Sequence, residues 1–424
     1  MKVKNLINRV FNNKTIRNGG LFSIFAFFEQ GCGFVLLIIL ARYINPGEYG
    51  ELSLINTVIT LLGFVIALST QGYVSVSFFR KSREQFHKDF SSIIAIVLFM
   101  LLIFSIALLL FPNTLSSLAQ IDIRYLWIAL CISVTSVFSS IMFNYFRIRE
   151  KVLKYGLASS SIAIANFVFS LLLVISFGMG WKGRIYTQLL CGLIIFVVSI
   201  VVFSSNKLFT FNIEWKDIKT ILIWGIPLIP HLATNWIRQG CDRYIINSHY
   251  GLDEVGLFSF ALNLTNVIAI VGFAFNSSFS VTIYQTLSDD KIDKNAKLKK
   301  LSLLIIAVYL GVTVLTLIGG TILCPLLLPK YTGSLPYFWI LALFGLLQCL
   351  YYIYCNYLFY YGKTKNLMYI TFSTAIVHLL LSLFLTKYSL FFTCIIYVFI
   401  QLMLVVLVRR RSRIILQEHS IKLL

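Results

Sequence analysis

Four side chains able to carry charge or strong hydrogen bonds recur through the apolar stretch Trp224–Asp242: His231, Asn235, Arg238 and Asp242. Their i, i+4, i+7, i+11 spacing predicts a polar stripe along one face of a helix. A guanidinium grips anionic oxygens, imidazole and carboxylate exchange protons, and an amide meets hydroxyls. Pro227 and Pro230 stand one turn before the stripe. Each removes a backbone donor, so the helix is expected to kink or open there. A broken helix with ionisable groups at membrane depth is costly unless it faces a cavity or partners, and the stripe therefore predicts a pathway for a solute. A plainer reading stands beside it: Arg238 and Asp242 pair with each other and tie helices together.

Glu29, next to Gln30, falls near the middle of the first apolar run. A lone carboxylate there must be protonated or paired. It is either a group facing the stripe across a central cavity or a buried acceptor within the N-terminal half. Glu29, Asp242 and His231 are thus the candidates for ion coupling or gating, although a histidine beside a kink is more often bonded to backbone in the core. Asn56, Thr60 and Thr70 line a milder polar stripe in the second apolar run, and Ser259, Asn263, Asn266 and Ser277 line another in the eighth. Such residues glue helices together as readily as they meet a hydroxylated ligand.

The elements that must position these groups are membrane spans. Of 424 residues, 58% are hydrophobic and 12% charged. Long apolar runs recur from end to end, which excludes a soluble enzyme and predicts an all-α polytopic membrane protein. Twelve spans are expected near 20–44, 50–73, 90–111, 123–146, 156–178, 184–204, 218–247, 254–284, 301–324, 335–361, 366–386 and 389–408. The net charge of +20 is gathered in short segments between spans, and 28 of the 36 Lys and Arg fall on one side by span parity. That asymmetry places both termini in the cytoplasm and argues for anionic lipid, not nucleic acid, as the partner of the positive charge. The first span has no cleavage site after it and reads as a retained helix.

The two halves repeat. PGEYGELS at 46–53 matches LDEVGLFS at 252–259, so that Glu48, Gly50 and Ser53 recur as Glu254, Gly256 and Ser259. NYFRIREK at 144–151 matches NYLFYYGK at 356–363. Six spans per half predict two pseudo-symmetric six-helix bundles around a central cavity: a lobe at 1–204, a linker at 205–217 lying along the interface, and a lobe at 218–424 ending in a basic tail.

No catalytic signature is present. Gly362-Lys363-Thr364 spells the end of a phosphate-binding loop, but Tyr357 stands where that loop needs glycine. Cys32, Cys131, Cys191, Cys324 and Cys394 lie inside apolar runs and read as small core residues, with no metal-ligand spacing. The tyrosines from Tyr351 to Tyr361 read as an interfacial belt near Tyr360, less so at the deeper Tyr354.

Two passages together resemble a known family. LARYINPGEYGELSLIN at 40–56 is similar to the end of the first helix and the following turn in polysaccharide exporters. RQGCDRYIINSHYGLDEVGLFSFA at 238–261 is similar to the matching region of their second half, with Asp242, Gly256 and Phe258 in the family positions. With twelve spans, the chain resembles a Wzx-type flippase of the multidrug/oligosaccharidyl-lipid/polysaccharide (MOP) exporter superfamily. The resemblance implies a non-enzymatic transporter of the bacterial plasma (inner) membrane. Its cargo would be an undecaprenyl-diphosphate-linked oligosaccharide, such as an O-antigen or capsule unit, flipped to the outer leaflet by alternating access alongside other polysaccharide-assembly proteins. No cofactor is implied beyond coupling to an H+ or Na+ gradient. Arg238, Asn235, His231, Asn263, Asn266 and Asn56 are then the expected substrate contacts. Arg42, Glu48, Gly50, Glu254, Gly256, Pro227 and Pro230 form the structural signature. Family cavities are often richer in Arg and Lys; here Arg238 is joined only by Arg42 or Arg243. The alternatives are a cation-coupled small-molecule exporter of the same superfamily and a membrane glycan polymerase or ligase, the last disfavoured by the short outer loops.

Overall fold

The computed structural model describes residues 14–288, 293–419 and 421. Among these, the ordered elements are helical, with no strand. Among the described residues, twelve helical segments are long and apolar enough to cross a membrane, from Gly20–Tyr43 to Leu390–Glu418. Their flanks carry bare leucines, isoleucines and phenylalanines, among them Leu109, Leu153, Leu315 and Phe384. Such surface is stable only against lipid. Helix starts are fixed locally. Asn45 and Glu48 cap each other's backbone N–H at 2.9 Å in front of Pro46, a capping box followed by proline at the first helical position. Asp122 caps Ile123–Ile148 by accepting from the Arg124 N–H at 2.8 Å.

The chain forms two compact units, one from residues 1–44 and 54–229, the other from 45–53 and 230–424. The division corrects the expected boundary at 205–217. In the first unit, α1 (Lys14–Tyr43) and the body of α2 (Pro46–Ala67) are followed by α3 (Tyr73–Arg80), α4 (Arg83–Leu110), α5 (Pro112–Ala119), α6 (Ile123–Ile148), α7 (Val152–Leu171) and α8 (Gly180–Ser205). Helix α9 (Trp215–Gly225) also belongs here, because its contacts are here. Gln85 on α4 donates its amide both to Asp89, at 3.1 Å, and to Asp217 on α9, at 2.7 Å. Asp89 is fully buried and also takes Lys81 at 2.8 Å and the Ser77 hydroxyl. Trp224 stacks edge-on against Tyr73 at 5.4 Å, and a Cβ on Gly225 would sit 2.3 Å from the Leu68 carbonyl oxygen.

Before α9 the link is irregular chain with no helix of its own. Phe209 packs on Phe90 and Phe203 while Phe211 is fully exposed. Lys88 hydrogen-bonds Glu214 at 3.0 Å and holds its carboxyl below the ordinary carboxylate range.

The second unit holds α10 (Ile229–Gln239), α11 (Cys241–Tyr250), α12 (Leu252–Ser288), α13 (Lys294–Leu327), α14 (Leu335–Tyr360), α15 (Thr364–Leu385) and α16 (Leu390–Glu418). Helix α14 is its centre, packed against α12 and α16. Tyr357 is fully buried in that core with Tyr309 and Ile353, so this part of the tyrosine run is packing and not belt; Tyr360 is exposed, as a belt requires. Cys191, Cys324 and Cys394 are buried as expected, Cys32 is half-buried, and Cys131 is exposed on the outward face of its helix.

The repeat survives in backbone detail. Helices α6 and α14 end with the same three bonds: Arg149 to Tyr145, Glu150 to Arg147 and Lys151 to Phe146 in one, Tyr361 to Tyr357, Gly362 to Phe359 and Lys363 to Leu358 in the other. Glu150 and Gly362 are equivalent and both left-handed, with φ of 52° and 67°. Only the second is glycine, so Glu150 carries steric strain that glycine lacks. Glu150→Gly is expected to raise thermal stability by about 0.5–1 kcal/mol. A melting midpoint unchanged or lowered in detergent would contradict this strain.

Candidate functional site

The helix expected to carry the stripe is interrupted in a place that periodicity does not reveal. The prolines act as expected: the helix tightens into a 3-10 turn at Ile226–Leu228 before α10 begins. A second break falls at Gly240, so Arg238 ends α10 and Asp242 begins α11. The side chains of His231 and Asn235 lie outside the described residues.

Asp242 has a partner from far along the chain, and Arg238 borders a void beside that partner. His378 on α15 is 2% exposed and bonds through Nε2 to Oδ2 of the fully buried Asp242 at 2.8 Å. Its ring stands edge-on to Tyr397 of α16, with centroids 5.0 Å apart. Arg238, His378, Tyr397 and Gln401 border one void of about 10 Å³. The Arg238 Nε and the Gln401 Nε2 are buried without an acceptor. At that size the void admits no organic ligand. The arrangement is a charge centre: a cation, a carboxylate and a titratable ring removed from water, where their interactions are strong and any imbalance is costly. The plain reading in which Asp242 pairs with Arg238 is therefore corrected, since the close partner of Asp242 is His378.

Glu29 is not the buried acceptor that one of its two expected readings required. It is exposed, and it lines a cavity of about 330 Å³ made by α1, α6, α7 and α8, entirely within the first unit. Thr135, Ser136, Ser139, Asn166, Arg184 and Gln188 supply the polar lining. Arg184 is held by Nη1 hydrogen bonds to Asn166 Oδ1 and Ser170 Oγ, both 2.9 Å. Asn56 stands behind this wall and accepts from Gln188 Nε2 at 3.2 Å. Neither Arg184 nor Gln188 stood out in the sequence, because each is an isolated polar residue in an apolar run.

Of the remaining candidates, Asn263 donates to the Tyr49 hydroxyl at 2.7 Å, so one of its amide donors is taken up in packing. Asn266 is half-buried on α12, and Arg42 is exposed in the last turn of α1. The signature positions are structural. Glu48 belongs to the capping box, Glu254 accepts from the Tyr337 hydroxyl at 2.9 Å, and Gly50 and Gly256 let two helix starts touch.

Known proteins share this architecture. A family model described as polysaccharide biosynthesis protein matches residues 15–283, and one described as MatE matches 227–384. A Haemophilus influenzae protein, Lsg locus putative protein 1, is 24% identical over 336 residues, covering 78% of this chain and 81% of that one. An inward-facing multidrug resistance MATE family transporter of the MOP superfamily aligns with a TM-score of 0.72 at 13% identity, over 91% of this chain and 94% of the other. The lipid II flippase MurJ, in an inward closed conformation, also gives 0.72, at 16% identity over 95% and 88%. Since the first family model spans more than half of the sequence, the chain belongs to the polysaccharide biosynthesis protein family and is a multi-pass membrane protein with the MOP-superfamily fold.

Proposed function

We propose that the protein flips a polyprenyl-diphosphate-linked oligosaccharide, an O-antigen or capsule unit, from the cytoplasmic to the outer leaflet of a bacterial plasma membrane. The basic loops face the cytoplasm in this reading, by the excess of Lys and Arg on that side. The observation that carries it is the buried Arg238, whose Nε lacks a protein acceptor beside the Asp242–His378 pair, in a chain of the polysaccharide biosynthesis family. Charge counting gives the site a mechanism. With one proton shared by Asp242 and His378 in addition to the neutral ring's own, the pair is neutral overall and leaves the Arg238 charge to the diphosphate or an acidic sugar once the transport cycle opens this buried site. With that proton lost, the pair carries one negative charge, which Arg238 compensates. Proton binding and anion binding at Arg238 then favour each other, so that protonation of the pair strengthens the hold on the cargo.

Arg238→Ala is expected to abolish surface glycan in a deletion strain while the protein stays at wild-type level in the membrane. Arg238→Lys keeps the charge without the fork and should restore it in part. Wild-type glycan with Arg238→Ala would remove Arg238 from the transport role. A second reading, a cation-coupled small-molecule exporter, is favoured by the MatE match over 227–384 and by the MATE-like fold. The two separate in a deletion strain: lipid-linked glycan accumulates on the inner leaflet only if the flippase reading holds.

A further inference from the structure

We propose that the cavity inside the first unit is a recognition site for a single pyranose ring of the transported glycan, an assignment that rests on the flippase reading. Its volume of about 330 Å³ falls at the lower end of the ~300–1,000 Å³ typical of small-molecule sites. That is room for one sugar ring and not for a whole repeat unit.

The chemistry of the wall selects the ligand. The Thr135, Ser136 and Ser139 hydroxyls donate to the carbonyls of Ile132, Ser133 and Ser136 in their own helix, at 2.9, 2.7 and 2.8 Å. With their protons committed, these oxygens face a ligand as acceptors. Gln188 spends its Nε2 on Asn56, and its Oε1 is buried with no donor. Glu29 adds a carboxylate. The lining is therefore rich in acceptors and calls for a ligand with several O–H donors spread around a small ring. A pyranose has them in its equatorial plane, and its C–H face fits the apolar part of the wall at Phe143 and Ile162. A quaternary or lipophilic cation would answer Glu29 alone and leave the hydroxyl oxygens of Ser136 and Ser139 without donors. Arg184, fixed on the same wall by Asn166 and Ser170, extends the site to a sugar bearing a carboxylate.

The site contains its own reporter. Cys32 is half-buried and lines the cavity, whereas Cys131 is exposed and does not. The full-length protein in lipid vesicles is alkylated with N-ethylmaleimide, and both cysteines are followed by mass spectrometry. The additions are methyl glycosides of glucose, galactose, N-acetylglucosamine or glucuronic acid, or tetraphenylphosphonium. At least one glycoside should slow Cys32 alkylation about threefold when present at twice its Kd, with Cys131 unchanged. Gln188→Leu should remove that protection and Gln188→Glu, which keeps an acceptor, should retain it. No protection by any glycoside, protection by tetraphenylphosphonium alone, or equal protection in wild type and a folded Gln188→Leu overturns the proposal. If Gln188→Leu does not fold, the wild-type comparison with tetraphenylphosphonium and the Gln188→Glu variant still decides. A chain that restores surface glycan to a deletion strain but gives no glycoside protection loses this site and keeps its flippase reading.

Discussion

His378→Leu is expected to be among the most damaging single substitutions in the chain, costing about 3–5 kcal/mol of stability and all transport. Asp242 is fully buried, and His378 holds its Oδ2 at 2.8 Å. Leucine fills the volume but leaves a carboxylate in a medium that cannot solvate it. The size of the loss comes from that orphaned charge and not from the bond itself, because a buried pair repays little more than its own desolvation. Two outcomes therefore differ. Asp242→Asn combined with His378→Leu removes both charged partners and should recover most of the stability, yet remain inactive, since the acid–imidazole pair that exchanges the proton is gone. Thermal unfolding in detergent reads the first effect and surface glycan in a deletion strain the second. If the double variant transports normally, the pair is only packing and proton coupling through it is wrong.

This pair also shows where sequence reading stops. Asp242 announces itself, as an acid in an apolar helix after two prolines. His378 is a single histidine in the eleventh span, 136 residues away, and no spacing rule joins two residues that meet only through the packing of α11 against α15. The twelve spans were legible because a bilayer demands long apolar runs whatever the tertiary structure. The repeat was legible because turn chemistry is local: Glu150 and Gly362 adopt one conformation at one repeat position. The unit boundary was not. Loop composition marks 205–217, but the packing of Trp224 on Tyr73 and the bonds from Gln85 assign α9 to the first unit. Likewise Gln188 and Arg184 acquire meaning only from the wall they share. Gly240 breaks the stripe with no proline to signal it.

Gly256→Ala should produce the second large effect, at or above the upper end of the ~1–3 kcal/mol usual for overpacking. A Cβ built there stands 1.8 Å from the Pro46 carbonyl oxygen and 2.6 Å from its carbon. The equivalent Gly50 is as tightly placed, 2.1 Å from the Leu252 oxygen and 3.2 Å from the Gly256 nitrogen. These obstacles are backbone at the starts of α2 and α12, and neither can turn away as a side chain could. To reach ordinary contact the two helix starts must part by about 1.5 Å, and packed elements do not deform that far without losing what lies beside them. Beside them Ser53 and Ser259, again equivalent positions, bond at 2.8 Å, and the Arg243 Nε reaches both hydroxyls at 2.6 and 3.1 Å. Separation strips the bonds from a half-buried guanidinium, adding about 1.5–3 kcal/mol for each lost charged hydrogen bond. Alanine itself favours a helix over glycine by about 1 kcal/mol, which works against the predicted loss. Gly319→Ala supplies the control, because nothing lies within 4 Å of its Cβ and only the propensity gain remains. A melting midpoint for Gly256→Ala that falls well below wild type while Gly319→Ala stays level or rises is the expected result. Equal midpoints for the two would mean that the helix starts do not touch at this point.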